Sequence, residues 1–170
     1  MNSPVQRQGR LVLLIDADPA MRATVRPLLA RYGLDLVQAR TGVAALDLVQ
    51  RMPDSFRMAV VSLELPGMSG TLLMETLRLF RPAVSIICLT AVERVVVTAE
   101  SANCISKPPS PAELGSQMGD ALAGALPAPA PRARPSAILR AQAEFAVSGD
   151  LLGAARELAR GMPDEPASAW

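Results

Sequence analysis

The chain has no histidine, a single lysine and few aromatic residues, and each shortage removes a class of chemistry. Without an imidazole there is no histidine general base, no histidine metal ligand and no histidine phosphotransfer. Aromatics make up 3% of the 170 residues, so Leu, Val, Ile and Ala must fill the core, which an apolar content of 50% allows. Two cysteines, Cys88 and Cys104, are too few for a disulfide framework. Charge of one sign is missing too. Lys and Arg total 17 against 16 for Asp and Glu, so no bulk charge draws the chain to nucleic acid or membrane. The apolar run Leu11–Ile15 is too short for a signal peptide or a membrane span, and a soluble cytoplasmic protein is expected.

What is present is an alternation of strand-like and helix-like segments over residues 10–125, the pattern of an α/β fold with a parallel sheet. The continuous run Leu11–Ile15 predicts a central strand covered on both faces. Asp18-Pro19 predicts a helix cap followed by proline in the first turn, with Met21, Val25, Leu28, Leu29 and Tyr32 facing the sheet and Gly33 ending the helix. Pro27 falls inside that helix. Further strands are predicted at 34–38, 58–62, 84–89 and 103–106. Thr41 caps a helix to about Arg51, and Leu73, Leu77 and Phe80 give the next helix its inner stripe. Residues 92–102 are rich in β-branched residues and predict only a ragged helix. Ser110-Pro111-Ala112-Glu113 is a capping box, and Leu114, Met118, Leu122 and Ala125 would face inward. The fold class expected is therefore a doubly wound five-stranded parallel sheet with a C-terminal two-helix appendage.

Residues 126–135 turn to Pro and Ala and predict a semi-rigid linker. Beyond it, 136–147 and 150–160 predict two helices joined at Ser148-Gly149, the whole of 136–170 forming a hairpin and tail.

Three short motifs carry the functional information. They are Leu14-Ile15-Asp16-Ala17-Asp18, Val61-Ser62-Leu63-Glu64-Leu65-Pro66-Gly67, and the pair Leu89-Thr90-Ala91 and Ser106-Lys107-Pro108. In this order they resemble the bacterial receiver domain of two-component response regulators, a flavodoxin-like fold. That resemblance implies a pocket at the carboxyl ends of the strands. It would hold an acidic pair for Mg²⁺, an acceptor aspartate, a hydroxyl that reports the new phosphoryl charge, and a lysine that pairs with it. Matched residue by residue, Asp16 falls on the first acid and Ala17 on the second, the direct metal ligand. Ser62 falls on the acceptor, Thr90 on the reporting hydroxyl and Lys107 on the lysine, whose following proline is usually cis in the family. Cys104 stands where the family has an aromatic switch residue. The interval from Thr90 to Lys107 is shorter than the family norm, which puts the usual output face in doubt.

Two departures, Ala17 and Ser62, fall on one function. A serine hydroxyl is a poor nucleophile without an adjacent base, and one carboxylate with a hydroxyl and a carbonyl is too little charge to hold Mg²⁺ firmly. No cofactor is expected. Glu64 is expected to offer its backbone carbonyl rather than a substitute carboxylate, and Lys107 to pair with Asp16. Cys88 and Cys104, on adjacent strands, are expected as buried thiols.

In the tail, Ile138, Phe145, Gly149-Asp150, Ala154, Leu158 and Pro166 resemble one tetratricopeptide unit, from which Gln142 and Gly161 depart. Such a unit cannot bury its own face, so Ile138, Phe145, Leu151 and Leu158 are expected to form an interaction surface whose removal leaves the receiver-like part folded. A competing resemblance is to a helix-turn-helix, but its recognition helix over 162–170 would hold two acids, two prolines and no basic residue, which makes nucleic acid an unlikely partner. The expectation is a pseudo-receiver in a phosphorelay-related pathway that acts by protein–protein contact or self-association, with no enzymatic activity. The alternative is a DNA-binding response regulator with a degraded output.

Overall fold

Leu11–Ile15 forms β1, and Val12 to Ile15 are fully buried because both faces of this strand are covered. In the computed structural model, residues 9–91, 104–124 and 133–163 are described. Along the chain follow α1 (Ala20–Ala30), β2 (Asp35–Ala39), α2 (Gly42–Arg51), β3 (Phe56–Ser62), α3 (Gly70–Phe80) and β4 (Ser85–Thr90). Then come β5 (Cys104–Ser106), α4 (Pro111–Leu122), α5 (Pro135–Ser148) and α6 (Leu151–Ala159). The five strands pair in parallel in the order β2-β1-β3-β4-β5. The order reverses direction beside β1, so the carboxyl ends of β1 and β3 flank the crevice where doubly wound sheets bind ligands.

Successive strand residues point to opposite faces, and the core divides accordingly. Val12, Leu14, Met58, Val60, Ile87, Leu89 and Ile105 pack under α1 and α4. Leu13, Ile15, Ala59, Val61 and Cys88 pack under α2 and α3. The predicted caps are present. The Asp18 carboxylate accepts from the Ala20 amide at 2.9 Å, Thr41 Oγ1 from Ala44 at 3.1 Å and Ser110 Oγ from Glu113 at 3.1 Å. Strand limits differ from the sequence reading by one or two residues, the usual scatter at element ends.

Tyr32 does not face the sheet. It is 45% exposed beyond the end of α1, with its hydroxyl 3.4 Å from the Gly115 carbonyl, because the helix closes before its turn is complete. On α4, Ala121 takes the fully inward position and Leu122 is half-buried. Cys88 and Cys104 are not separate thiols. They sit directly opposite in the β4–β5 register, with Cα atoms 4.3 Å apart, and form a disulfide. The ragged helix expected at 92–102, Ala125, the linker up to residue 132 and the tail from 164 lie outside the described residues.

The largest correction concerns the C-terminal helices. On α6, Leu151, Ala154, Ala155, Leu158 and Ala159 recur at helical spacing and are buried, and the stripe continues to Met162. That stripe packs on α3 and α2 of the same chain and joins the core on that face of the sheet. Leu151 and Leu158, expected on a free surface, are fully buried, and Ile138 and Phe145 are partly buried against the same cluster. Polar contacts fix the dock. The Leu151 amide donates to Gln50 Oε1 at 2.9 Å, and the Ala133 amide donates to Oε1 of the buried Glu75 at 3.3 Å. The Phe145 ring meets Phe80 at 4.8 Å between centroids, and the Arg81 guanidinium lies over the same ring at 5.6 Å. The expected linker thus ends early, because Ala133 is already buried and α5 starts at Pro135.

The reason lies in α3. Its sequence, GTLLMETLRLF, is apolar nearly all round, and every residue from Leu72 to Leu77 is buried. A helix with apolar residues on all sides needs cover on two sides, and α6 supplies the second. Met162 and Pro163 are not helical, so the start of the supposed recognition helix is irregular chain.

Candidate functional site

Four strand ends deliver one polar cluster. Asp16 follows β1, Ser62 ends β3, Thr90 ends β4 and Lys107 follows β5. Asp16, Ser62 and Thr90 are each at most 2% exposed, so whatever they bind they bind largely out of water. The Lys107 ammonium lies 2.6 Å from Asp16 Oδ2 and donates to Ser62 Oγ at 2.7 Å. Oδ1 of Asp16 accepts from the Asp18 amide at 2.8 Å, which turns the chain out of β1, and the Gln38 side-chain amide donates to the Asp16 carbonyl at 3.3 Å. The Lys107 amide donates to the Thr90 carbonyl at 2.7 Å, so the lysine is positioned by an extension of the β4–β5 ladder. The Lys107–Pro108 bond is cis, as the resemblance implied.

Glu64 departs from expectation. Its side chain folds back over the pocket, where Oε1 accepts from Thr90 Oγ1 at 2.9 Å and from the Ala91 amide at 3.1 Å. Its Oε2 and its backbone carbonyl each lie 3.4 Å from Ser62 Oγ. The sequence signal was available, since two residues beyond Ser62 an extended chain returns to the same side. Ala91 was not foreseen, because it contributes a backbone amide and no side chain. Gly70 was also missed. A Cβ there would stand 2.1 Å from the Ser62 carbonyl oxygen and 2.6 Å from Leu63 Cα, so only glycine lets α3 start this close to the pocket floor.

The donor set does not fit Mg²⁺. Ala17 brings no oxygen, Ser62 is neutral, and both oxygens of Asp16 are engaged by Lys107 and the Asp18 amide. Glu64 spends its carboxylate on a hydroxyl and an amide. A hard divalent cation wants several oxygens carrying negative charge. Among the described residues no cluster of three or more His, Cys, Asp or Glu assembles elsewhere. Ser62 and Lys107 together have the outline of a serine–lysine pair, but Lys107 is the donor in that contact and is ion-paired to Asp16, the wrong arrangement for a general base. No helix among the described residues is long and apolar enough to cross a membrane. Of the expected site residues, the pocket brings together Asp16, Ser62, Glu64, Thr90 and Lys107, with Ala17 half-buried at its edge. Ile138, Phe145, Leu151 and Leu158 lie apart from it, on α5 and α6.

Comparison with solved structures gives the same architecture. A signal receiver domain of an HD domain-containing protein from Pseudomonas fluorescens Pf-5 is similar with a TM-score of 0.60 and 23% identity, over 74% of this chain and 95% of that one. A CheY-like response regulator receiver domain protein from Methanospirillum hungatei JF-1 is similar with a TM-score of 0.59 and 24% identity, over 69% and 96%. A CheX–CheY complex with beryllium fluoride and magnesium from Borrelia burgdorferi matches with a TM-score of 0.57 and 15% identity, over 64% and 85%. No curated protein sequence matches closely enough to count as a relative. The sequence profile of the response regulator receiver domain matches residues 12–118, well over half of the chain. With the sheet order, the four strand-end residues and this match in agreement, the chain belongs to the response regulator receiver domain family.

Proposed function

We propose that the protein is a pseudo-receiver, an atypical response regulator that acts as a cytoplasmic signalling adaptor through protein–protein contact, without a phosphorylated aspartate and without Mg²⁺. One observation carries the reading: the pocket is paired from within. The Glu64 carboxylate engages the Thr90 hydroxyl and the Ala91 amide, the groups that would otherwise answer to a phosphoryl oxygen. Lys107 is held between Asp16 and Ser62. A buried polar group that already has a charged partner gains little by exchanging it for another. The module is thus set in one state by its own side chains, and its output depends on abundance and partner. The complex of CheX with CheY illustrates the kind of contact a receiver surface makes.

Incubation with acetyl phosphate, or with beryllofluoride, in the presence of Mg²⁺ tests this. The expected result is an unchanged intact mass and unchanged amide NMR spectra. A stable gain of one phosphoryl group, or saturable Mg²⁺-dependent shifts at Thr90 and Ala91, refutes it.

A further inference from the structure

Strand β5 is three residues long and lies at the edge of the sheet, paired only with β4. On one face it is anchored by Ile105, which is fully buried under α1 and α4. On the other face its anchor is covalent, the bond from Cys104 to Cys88. The residue after β5 is Lys107, and two residues after Cys88 comes Thr90. The disulfide therefore ties together the strand ends that present the ammonium and the hydroxyl of the pocket. Cys88 is 3% exposed, whereas Cys104 is half-buried and is the sulfur a solvent-borne thiol can approach.

We propose that the Cys88–Cys104 disulfide is a redox-responsive clamp on the pocket. When it is closed, β5 is held in register and Lys107 stays on Asp16 and Ser62. A dithiol reductant opens it. One thiolate of the reductant attacks the Cys104 sulfur, the Cys88–Cys104 bond breaks, and Cys88 leaves as a thiolate that takes up a proton. The second thiol of the reductant then displaces Cys104 from the mixed disulfide. Two electrons pass to the protein, which gains two thiols, and the reductant becomes a disulfide. Without the covalent anchor, β5 keeps Ile105, a short ladder and the Lys107 amide bond to Thr90. Local opening of so small an edge unit then becomes easier, and the lysine arm loosens with it. The clamp operates whether or not Ser62 is ever phosphorylated, so it is independent of the reading above.

Hydrogen–deuterium exchange on the full chain, with the β1 amides as internal reference, tests the clamp. The oxidised protein should show no free thiols. Dithiothreitol should free two of them and speed exchange across 104–107 about ten-fold or more, and glutathione disulfide should restore the slow rate. The double variant Cys88→Ser/Cys104→Ser should exchange like the reduced protein and ignore dithiothreitol. Equal exchange in both redox states overturns the clamp, as do two free thiols that persist in excess glutathione disulfide. Should the serine variant not fold, the wild-type comparison alone decides.

Discussion

Replacing Leu158 by alanine tests whether α6 is part of the receiver's own core. The side chain is fully exposed to neighbours and to no water, lying in the stripe that packs on α2 and α3. Truncation there removes buried methyl groups and leaves a cavity, a loss of about 2–5 kcal/mol in comparable sites. For a chain of this length that corresponds to a fall in melting temperature of roughly 4–20 °C. The control is Leu139→Ala on α5, where the side chain is 66% exposed and the expected change is within about 0.5 kcal/mol. Urea unfolding followed by far-ultraviolet circular dichroism reads both. One cooperative transition, shifted as a whole by Leu158→Ala and not by Leu139→Ala, is the expected outcome. Two separate transitions with only the smaller one moved, or equal effects of the two substitutions, would refute the shared core. So would a chain ending at Gly124 that unfolds at the same urea concentration as the full chain, since removal of α6 should uncover α3 and leave that shortened chain destabilised or aggregated.

Lys107→Met should cost about 3–5 kcal/mol, because it strands the Asp16 carboxylate, only 3% exposed, without its cation. Adding Asp16→Asn should recover most of that loss, and a double-mutant cycle in urea checks the recovery. Gly70→Ala should destabilise by about 1–3 kcal/mol, since its new methyl meets backbone rather than a movable side chain; an unchanged unfolding midpoint would show that α3 can shift freely. Ala17→Asp with Ser62→Asp should create the missing oxygen cluster and give measurable Mg²⁺ binding by calorimetry, where the parent chain gives no heat.

Much of the sheet was legible because its signals are local. A continuous apolar run made β1, and the hydroxyls of Thr41 and Ser110 announced the helices they cap. Pocket residues Asp16, Thr90 and Lys107 were legible through motif order. What escaped depends on three-dimensional neighbours. The all-round apolarity of α3 was a visible sign of double cover, yet taking only Leu73, Leu77 and Phe80 as its inner stripe left Leu72 and Met74 unexplained and sent α6 to an outside partner. The Glu64 carboxylate was assigned to solvent because its role is set by where Thr90 and Ala91 come to rest, 26 and 27 residues away. Cys88 and Cys104 met because a parallel register places them opposite each other, and composition argued only from how few they are.

The docking of α6 changes what residues 125–132 are for. Gly124 ends one helix of the receiver, and Ala133 is already bonded to Glu75 of another, so the segment connects two fixed points on a single packed body. It is the closure of a loop rather than a lead to a separate module. Closure entropy grows only with the logarithm of length, so doubling the segment costs about 0.6 kcal/mol. An epitope or a small fluorescent probe inserted there would ride on the molecule with little loss of stability.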